Sequence, residues 1–359
     1  MAIIVFFILF EITARLLNLY PEYGSTKGMF QNDEVLDYRM TPNFRGKFSR
    51  QEFKLEISTN SLGLRDVEYG EKKNNELRIL ALGDSFVWGA YGTELNQTFV
   101  KILERKLNEK SRSLRYQVIN AGVPGYGTDQ EFLYLKDRGY KLKPDLILVN
   151  LFVGNDFLDN VQSGEMIVKN GALFTNKTRI KLGEKIRTFL LTNSHSYRIM
   201  ERSMLNLFGN FIQKYVRGKI QQDDYQAQLF LKPVNKDITQ QTIKTEEVLK
   251  ETKLYTNSNN MTFVIVLIPL NYQVDNNLKQ IFIENNYNQN QQYDMEQPQK
   301  IINEWAVKNN VTVIDLLPHL KKLNKDNDFY WKFNPHFNVK GNEIVGDIIY
   351  KELTKKGTI

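Results

Sequence analysis

The chain has 359 residues, 42% hydrophobic and 12% aromatic, enough to fill a sizeable α/β domain with extensions and too apolar for wholesale disorder. It contains no cysteine, which excludes disulfides, thiolate metal sites, a cysteine nucleophile and a lipid-modified N-terminal cysteine. The net charge of +7 comes from lysines and arginines spread along the chain, as in 101–115, 177–187 and 214–219. No such stretch interleaves stacking aromatics, so no nucleic-acid partner is expected.

Residues 1–10, MAIIVFFILF, are purely apolar, and Glu11 and Arg15 follow among further leucines. The run reaches the roughly 20 residues of a bilayer span only by admitting both charges. It has no preceding basic residue and no small-residue cleavage site. An uncleaved membrane anchor over 1–20 is therefore expected, ahead of an internal packing helix or a signal peptide. Residues 21–76 are polar and turn-rich, with the alternating set Phe53, Leu55 and Ile57, and read as a connector with a small β-hairpin.

A domain over 77–359 follows. Short apolar runs rich in β-branched residues predict strands at 77–82, 116–119, 146–153, 261–268 and 311–314. Helical text lies between and after them, at 97–110, 128–141, about 239–258, 294–309 and 339–355. This alternation predicts an α/β fold with a five-stranded parallel sheet covered on both faces. Ligands of such sheets sit at the carboxyl ends of the strands. Residues 160–235 are too long for a simple connection and read as an insertion or lid, with helical text at 185–191 and 197–216. Residues 285–293, NNYNQNQQY, form a low-complexity loop.

The polar residues at the strand ends carry the chemistry. The first strand runs into Gly83-Asp84-Ser85, where a strand-to-helix turn projects a serine hydroxyl and aims its backbone N–H at a developing oxyanion. Val87 stands where the nucleophile elbow of α/β-hydrolases has its second glycine. Taken alone, Gly-Asp-Ser is ordinary turn or cap text. The second strand leads into Gly122-Val123-Pro124-Gly125-Tyr126-Gly127, a glycine-rich loop suited to close backbone approach, or simply a turn. The third ends in Gly154-Asn155-Asp156; a side-chain amide there is suited to donate to an oxyanion, although Asn-Asp also caps helices. Of the three histidines, His195 lies in polar text of the insertion and His319 at a helix start. His336, ahead of the last helix, is the best candidate for a general base.

Together these features resemble the SGNH (GDSL-like) hydrolase superfamily. Gly83-Asp84-Ser85 looks like its first block, Gly125 its second, Gly154-Asn155-Asp156 its third, and His336 with Asn338 and Gly341 its last. Asn60-Ser61-Leu62-Gly63-Leu64-Arg65 looks like text upstream of the first block in membrane-anchored bacterial members. The resemblance covers about 77–355. It implies a flavodoxin-like three-layer α/β/α sandwich and a serine esterase or O-acyltransferase with Ser85 as nucleophile and His336 as base. Ser85, Gly125 and Asn155 would form the oxyanion hole, with Asp84, Gly154 and Asp156 supporting it.

By the same resemblance the substrate is an acyl ester of a carbohydrate or lipid, no cofactor or metal is needed, and the domain faces away from the cytoplasm. One departure stands out: the family's aspartate just before the histidine is replaced by Asn334, with Phe333 beside it. An asparagine orients an imidazole but supplies no charge, and such a change costs rate by favouring the wrong tautomer. Asp326 and Asp328 are the nearby carboxylates, and a weakly active or non-catalytic scaffold is the competing expectation.

Overall fold

The computed structural model describes residues 2–17, 28–49, 52–89, 91–161, 166–169, 171–175, 182–211, 225–286, 292–323, 328–332 and 334–359. Asp326, Phe333, 212–216 of the second insertion helix and 287–291 of the low-complexity loop lie outside them. At the centre are five parallel strands: β5 (Glu76–Gly83), β6 (Arg115–Gly122), β7 (Leu146–Phe152), β11 (Thr262–Ile268) and β13 (Thr312–Asp315). Their order across the sheet is β6-β5-β7-β11-β13. This is the flavodoxin-like order, whose switch point lies between β5 and β7. β7 is buried along its whole length, as its unbroken apolar text requires when helices cover both faces.

One layer holds α3 (Phe99–Lys110) against the last helix, Val339–Lys355; the other holds α4 (Thr128–Asp137) against the helix Lys236–Ser258. The α/β/α sandwich expected from the alternation is the fold. The element ends differ by a few residues. The helical text at 128–141 breaks after Asp137 into a 3-10 turn, Gly139–Leu142, that delivers the chain to β7.

The segment ahead of β5 forms two antiparallel hairpins, β1 (Phe30–Asp33) with β2 (Asp37–Met40) and β3 (Arg45–Ser49) with β4 (Lys54–Ser58). It places Phe30, Leu36, Tyr38, Met40, Phe48, Ile57 and Leu64 in the common hydrophobic core. The insertion holds a third hairpin, β8 (Met166–Lys169) with β9 (Ala172–Thr175), tied to β1 by Phe30 N–H donating to the Gly171 carbonyl at 3.0 Å. A two-residue pair, β10 (Leu231–Lys232) with β12 (Gln292–Tyr293), forms a separate antiparallel ladder.

The N-terminal run forms a helix, α1 (Ala2–Leu16), of 15 residues. Among the described residues no helix is long and apolar enough to cross a membrane. The two charges that interrupt the apolar text have a structural use. α1 lies on the insertion helix α7 (His195–Phe211), which also packs on α6 (Leu182–Asn193). Glu11 caps the start of α7, accepting from the N–H groups of His195 (3.0 Å) and Ser196 (2.8 Å) and from both neighbouring serine hydroxyls. Burial alone would raise the Glu11 pKa, but the hydrogen bonds from Ser196, Ser194 and His195 hold it well below the usual carboxylate range. Arg15 reaches the Asn193 carbonyl that ends α6.

Candidate active site

The turn that carries Ser85 follows from local sequence. β5 ends at Gly83, Asp84 caps the short helix α2 (Ser85–Trp88) by accepting from Phe86 N–H at 2.8 Å, and Gly89 closes it in the left-handed region at φ +68°. Ser85 is thus the first residue of a helix at a strand's carboxyl end, half-buried at the sheet's switch point.

His336 arrives from the loop before the last helix, 251 positions away, with Nε2 at 2.8 Å from Ser85 Oγ. Its Nδ1 contacts Asn334 Oδ1, and that same oxygen accepts from the His336 backbone N–H at 3.1 Å. A backbone N–H only donates, so it is the amide oxygen that faces the imidazole. Nδ1 must then carry the proton, and the Nε2 lone pair faces the serine. The tautomer that a base requires is therefore set by an asparagine. Asp328 plays no such part: its carboxylate is engaged by Lys340 and Asn338 at the start of the last helix.

On the other side of Ser85 lie the three remaining blocks. Gly125 sits after β6 at φ +81°, half-exposed, where a side chain's Cβ would come within 2.9 Å of the Tyr38 hydroxyl. Its loop is braced by Tyr38 Oη donating to the Pro124 carbonyl at 2.9 Å and by Val123 N–H donating to the Gly83 carbonyl at 3.0 Å. Gly154 is packed against Phe152 and Leu270. Asn155 precedes α5 (Asp156–Asp159), and its amide donates to Asp159 Oδ2 and hydrogen-bonds Asp84.

The floor beneath is acidic. Asp84, Glu131 and Asp156 are fully buried, and each is close enough to raise another's pKa. Burial pushes Asp84 up to about 6 in spite of hydrogen bonds from Phe86, Ser85 and Asn155. Burial first, then the neighbouring carboxyls, push Glu131 and Asp156 well above the usual range. Both Glu131 oxygens and Asp156 Oδ1 are buried without a hydrogen-bond partner. Removing a carboxyl from water disfavours its charged form, which is the direction of both shifts. Among the described residues no group of three or more His, Cys, Asp or Glu is placed to hold a metal.

Of the other histidines, His195 opens α7 beside Glu11, and His319 sits on the helix Leu316–Leu323 with Nε2 at 3.7 Å from Glu352. Several residues at the site stand outside the four blocks. Arg65, 2% exposed, donates to the Trp88 carbonyl at 2.8 Å and the Thr93 carbonyl at 2.7 Å, clamping the end of α2 to the loop beyond it. Asn60 folds the preceding turn by accepting from Leu62 and Leu64 N–H and donating to the Val67 carbonyl, which explains the Asn60–Arg65 text. Tyr91 stacks on His336. Asp159 stands four residues after Asn155, a helical spacing that would have signalled the pair.

No protein-family model and no curated protein matches the sequence. Solved structures similar in fold include TesA (12% identity, TM-score 0.42, covering 77% of this chain and 98% of that one). They include a lipase/acylhydrolase from Enterococcus faecalis (14%, TM-score 0.43, covering 78% and 96%). A catalytic mutant of an acetylxylan esterase from Geobacillus stearothermophilus also matches (12%, TM-score 0.42, covering 77% and 94%). At this distance the reaction has to be argued from the chain's own residues.

Proposed function

We propose that the chain is a serine-dependent acyl-ester hydrolase. The observation that carries this reading is the relay Ser85 Oγ, His336 Nε2, His336 Nδ1–H, Asn334 Oδ1, in which every donor and acceptor has its proper sense. His336 takes the Ser85 proton as Oγ attacks the ester carbonyl, then returns it to the departing alkoxide. Ser85 N–H, Gly125 N–H and the Asn155 amide hold the tetrahedral oxyanion. Water then resolves the acyl-enzyme; a sugar hydroxyl in its place would make the protein an O-acyltransferase. The reading calls on no cofactor or metal.

The substrate class, O-acyl esters of carbohydrate or lipid, rests on the four-block resemblance. It also suits the aromatic wall that Tyr91 and Trp331 raise beside the base. A non-catalytic scaffold is the second reading, favoured by the uncharged Asn334 and by the engagement of the Asn155 amide with Asp159. Turnover of p-nitrophenyl acetate by the full chain and by Ser85→Ala separates the two. The hydrolase reading expects a loss of about 10³-fold or more. Turnover that survives in Ser85→Ala, or a wild-type protein with none on any ester tried, would overturn it.

We also propose a membrane-surface location outside the cytoplasm, in an interfacial form. A 15-residue helix is about 22 Å long, against a hydrocarbon core of about 30 Å. Val5, Phe6, Phe7, Ile8 and Leu9 are consecutive and all exposed, so they cover every side of α1. A lipid surface takes up such exposed apolar side chains at its headgroup and acyl boundary. Leu207, Phe208 and Met204 of α7 extend the apolar area. Binding to phosphatidylglycerol vesicles, lost in the Phe6→Asp, Leu9→Asp double variant, is expected. A wild-type protein that stays in solution beside such vesicles sinks the idea.

A further inference from the structure

The imidazole of His336 is held by more than hydrogen bonds. The Tyr91 ring lies face-on against it, with centroids 3.9 Å apart and planes within 7° of parallel. The Phe86 ring is a second neighbour at 4.7 Å, tilted by 33°. Tyr91 has little freedom to leave. Phe48, Phe53 and Trp88 meet its ring edge-to-face, at 5.7, 6.3 and 5.6 Å between centroids. Its carbonyl accepts from Trp331 Nε1 at 2.7 Å, and at Gly92 (φ +90°) an added Cβ would stand 2.4 Å from the Trp331 ring. Two of the bracing rings, Phe48 and Phe53, come from the β3–β4 hairpin, in the segment whose text reads as a mere connector.

We propose that Tyr91 is the positioning residue of His336: its π face keeps the imidazole in the plane that meets Ser85 Oγ and favours the imidazolium formed when the serine proton is taken. The inference rests on the reading of Ser85 and His336 as nucleophile and base. The physical argument is one of charge. Asn334 meets Nδ1–H with a dipole, which orients the ring but stabilises its protonated form less than a carboxylate would. An aromatic face attracts a cation at this distance, and more strongly where water is excluded. Trp88 and Phe48, both buried, and the half-buried Phe53 form that dry backing.

The charged and titratable groups around the imidazole stay in place when Tyr91 is changed. They are Asp84, whose Oδ2 stands 3.3 Å from Ser85 Oγ, and Glu52, which accepts from Lys332 N–H at 2.9 Å beside the β3–β4 hairpin. Lys332 itself and the pair Asp328–Lys340 at the last helix are the further charges there among the described residues. A change in His336 titration on replacing Tyr91 therefore reports the ring.

The test is an NMR titration of the His336 imidazole in the full chain, for wild type, Tyr91→Leu and Tyr91→Phe, with the pH profile of kcat/KM measured alongside. Tyr91→Leu is expected to lower the His336 pKa by about half to one unit and to move the acid limb of the profile down with it. Tyr91→Phe keeps the face and is expected to restore the wild-type pKa. A Tyr91→Leu protein whose His336 pKa stays within about 0.2 unit of wild type overturns the proposal, as does a Tyr91→Phe protein that titrates like Tyr91→Leu. The titration needs no turnover. An unreactive wild type with a lowered pKa in Tyr91→Leu would leave the inference standing while the hydrolase reading fell.

Discussion

The two sides of Ser85 are built on opposite electrostatic plans. On the His336 side both ring nitrogens have partners of the right sense and an aromatic ring lies over the imidazole, without a carboxylate at Nδ1. On the floor side Asp84, Glu131 and Asp156 are sealed from solvent, with three carboxyl oxygens unpartnered. The base side is ordered by complementarity and loses little on folding. The floor is ordered by packing and holds its acids against their preference for charge, a cost that the surrounding core must offset. Orientation at the base side comes from a few side-chain contacts, whereas the acidic floor beneath Ser85 is a property of the whole sandwich.

Substitutions at three positions sharpen or break that contrast. The largest effect is expected at Asn334. Asn334→Ala removes the acceptor that sets the tautomer and should lower kcat/KM by about 10²-fold, while Asn334→Asp adds the missing charge and should raise it by about tenfold or more. If both leave ester turnover unchanged, the base side is not ordered as described.

A smaller effect is expected from Asp159→Asn, which weakens the competing acceptor at the Asn155 amide. Turnover should rise about two- to tenfold with little change in KM, since the freed amide helps the oxyanion and not the ground state. A fall would make Asp159 a contributor to the site and not a competitor.

The smallest effect is one of stability. The folded-state pKa of Asp84 is about 6, above the usual carboxylate value, so between roughly pH 4 and 6 the folded protein keeps a proton that the unfolded chain has lost. Stability therefore falls as pH rises through that window. The same sign holds for Glu131 and Asp156, whose pKa values burial raises in the same direction. Glu131→Gln removes one acid of similar size. Its Tm should depend less on pH between 5 and 8 and should exceed wild type at pH 8 by a few degrees. A Tm–pH curve parallel to wild type would show that Glu131 is not a proton holder.

Much of this molecule was legible in its text. Five runs of apolar, β-branched residues, each ended by Gly, Pro, Asn or Asp, specify strands and their ends. The alternation with helices specifies a covered parallel sheet, so residues such as Ser85, Gly125 and Asn155 are placed at one rim by local pattern alone. The residues around them were less legible. Tyr91 and His336 stack only because the β3–β4 hairpin and Trp331 converge on one loop. Glu131 reads as an ordinary charge on an amphipathic helix until the sheet buries it. Glu11 and Arg15 read as flaws in an anchor until α6 and α7 offer their helix ends. Periodicity records which face of an element meets the core, because burial repeats every two or 3.6 residues. The partner of a polar group leaves no such period. It depends on which distant segments share a space, and only the tertiary structure decides that.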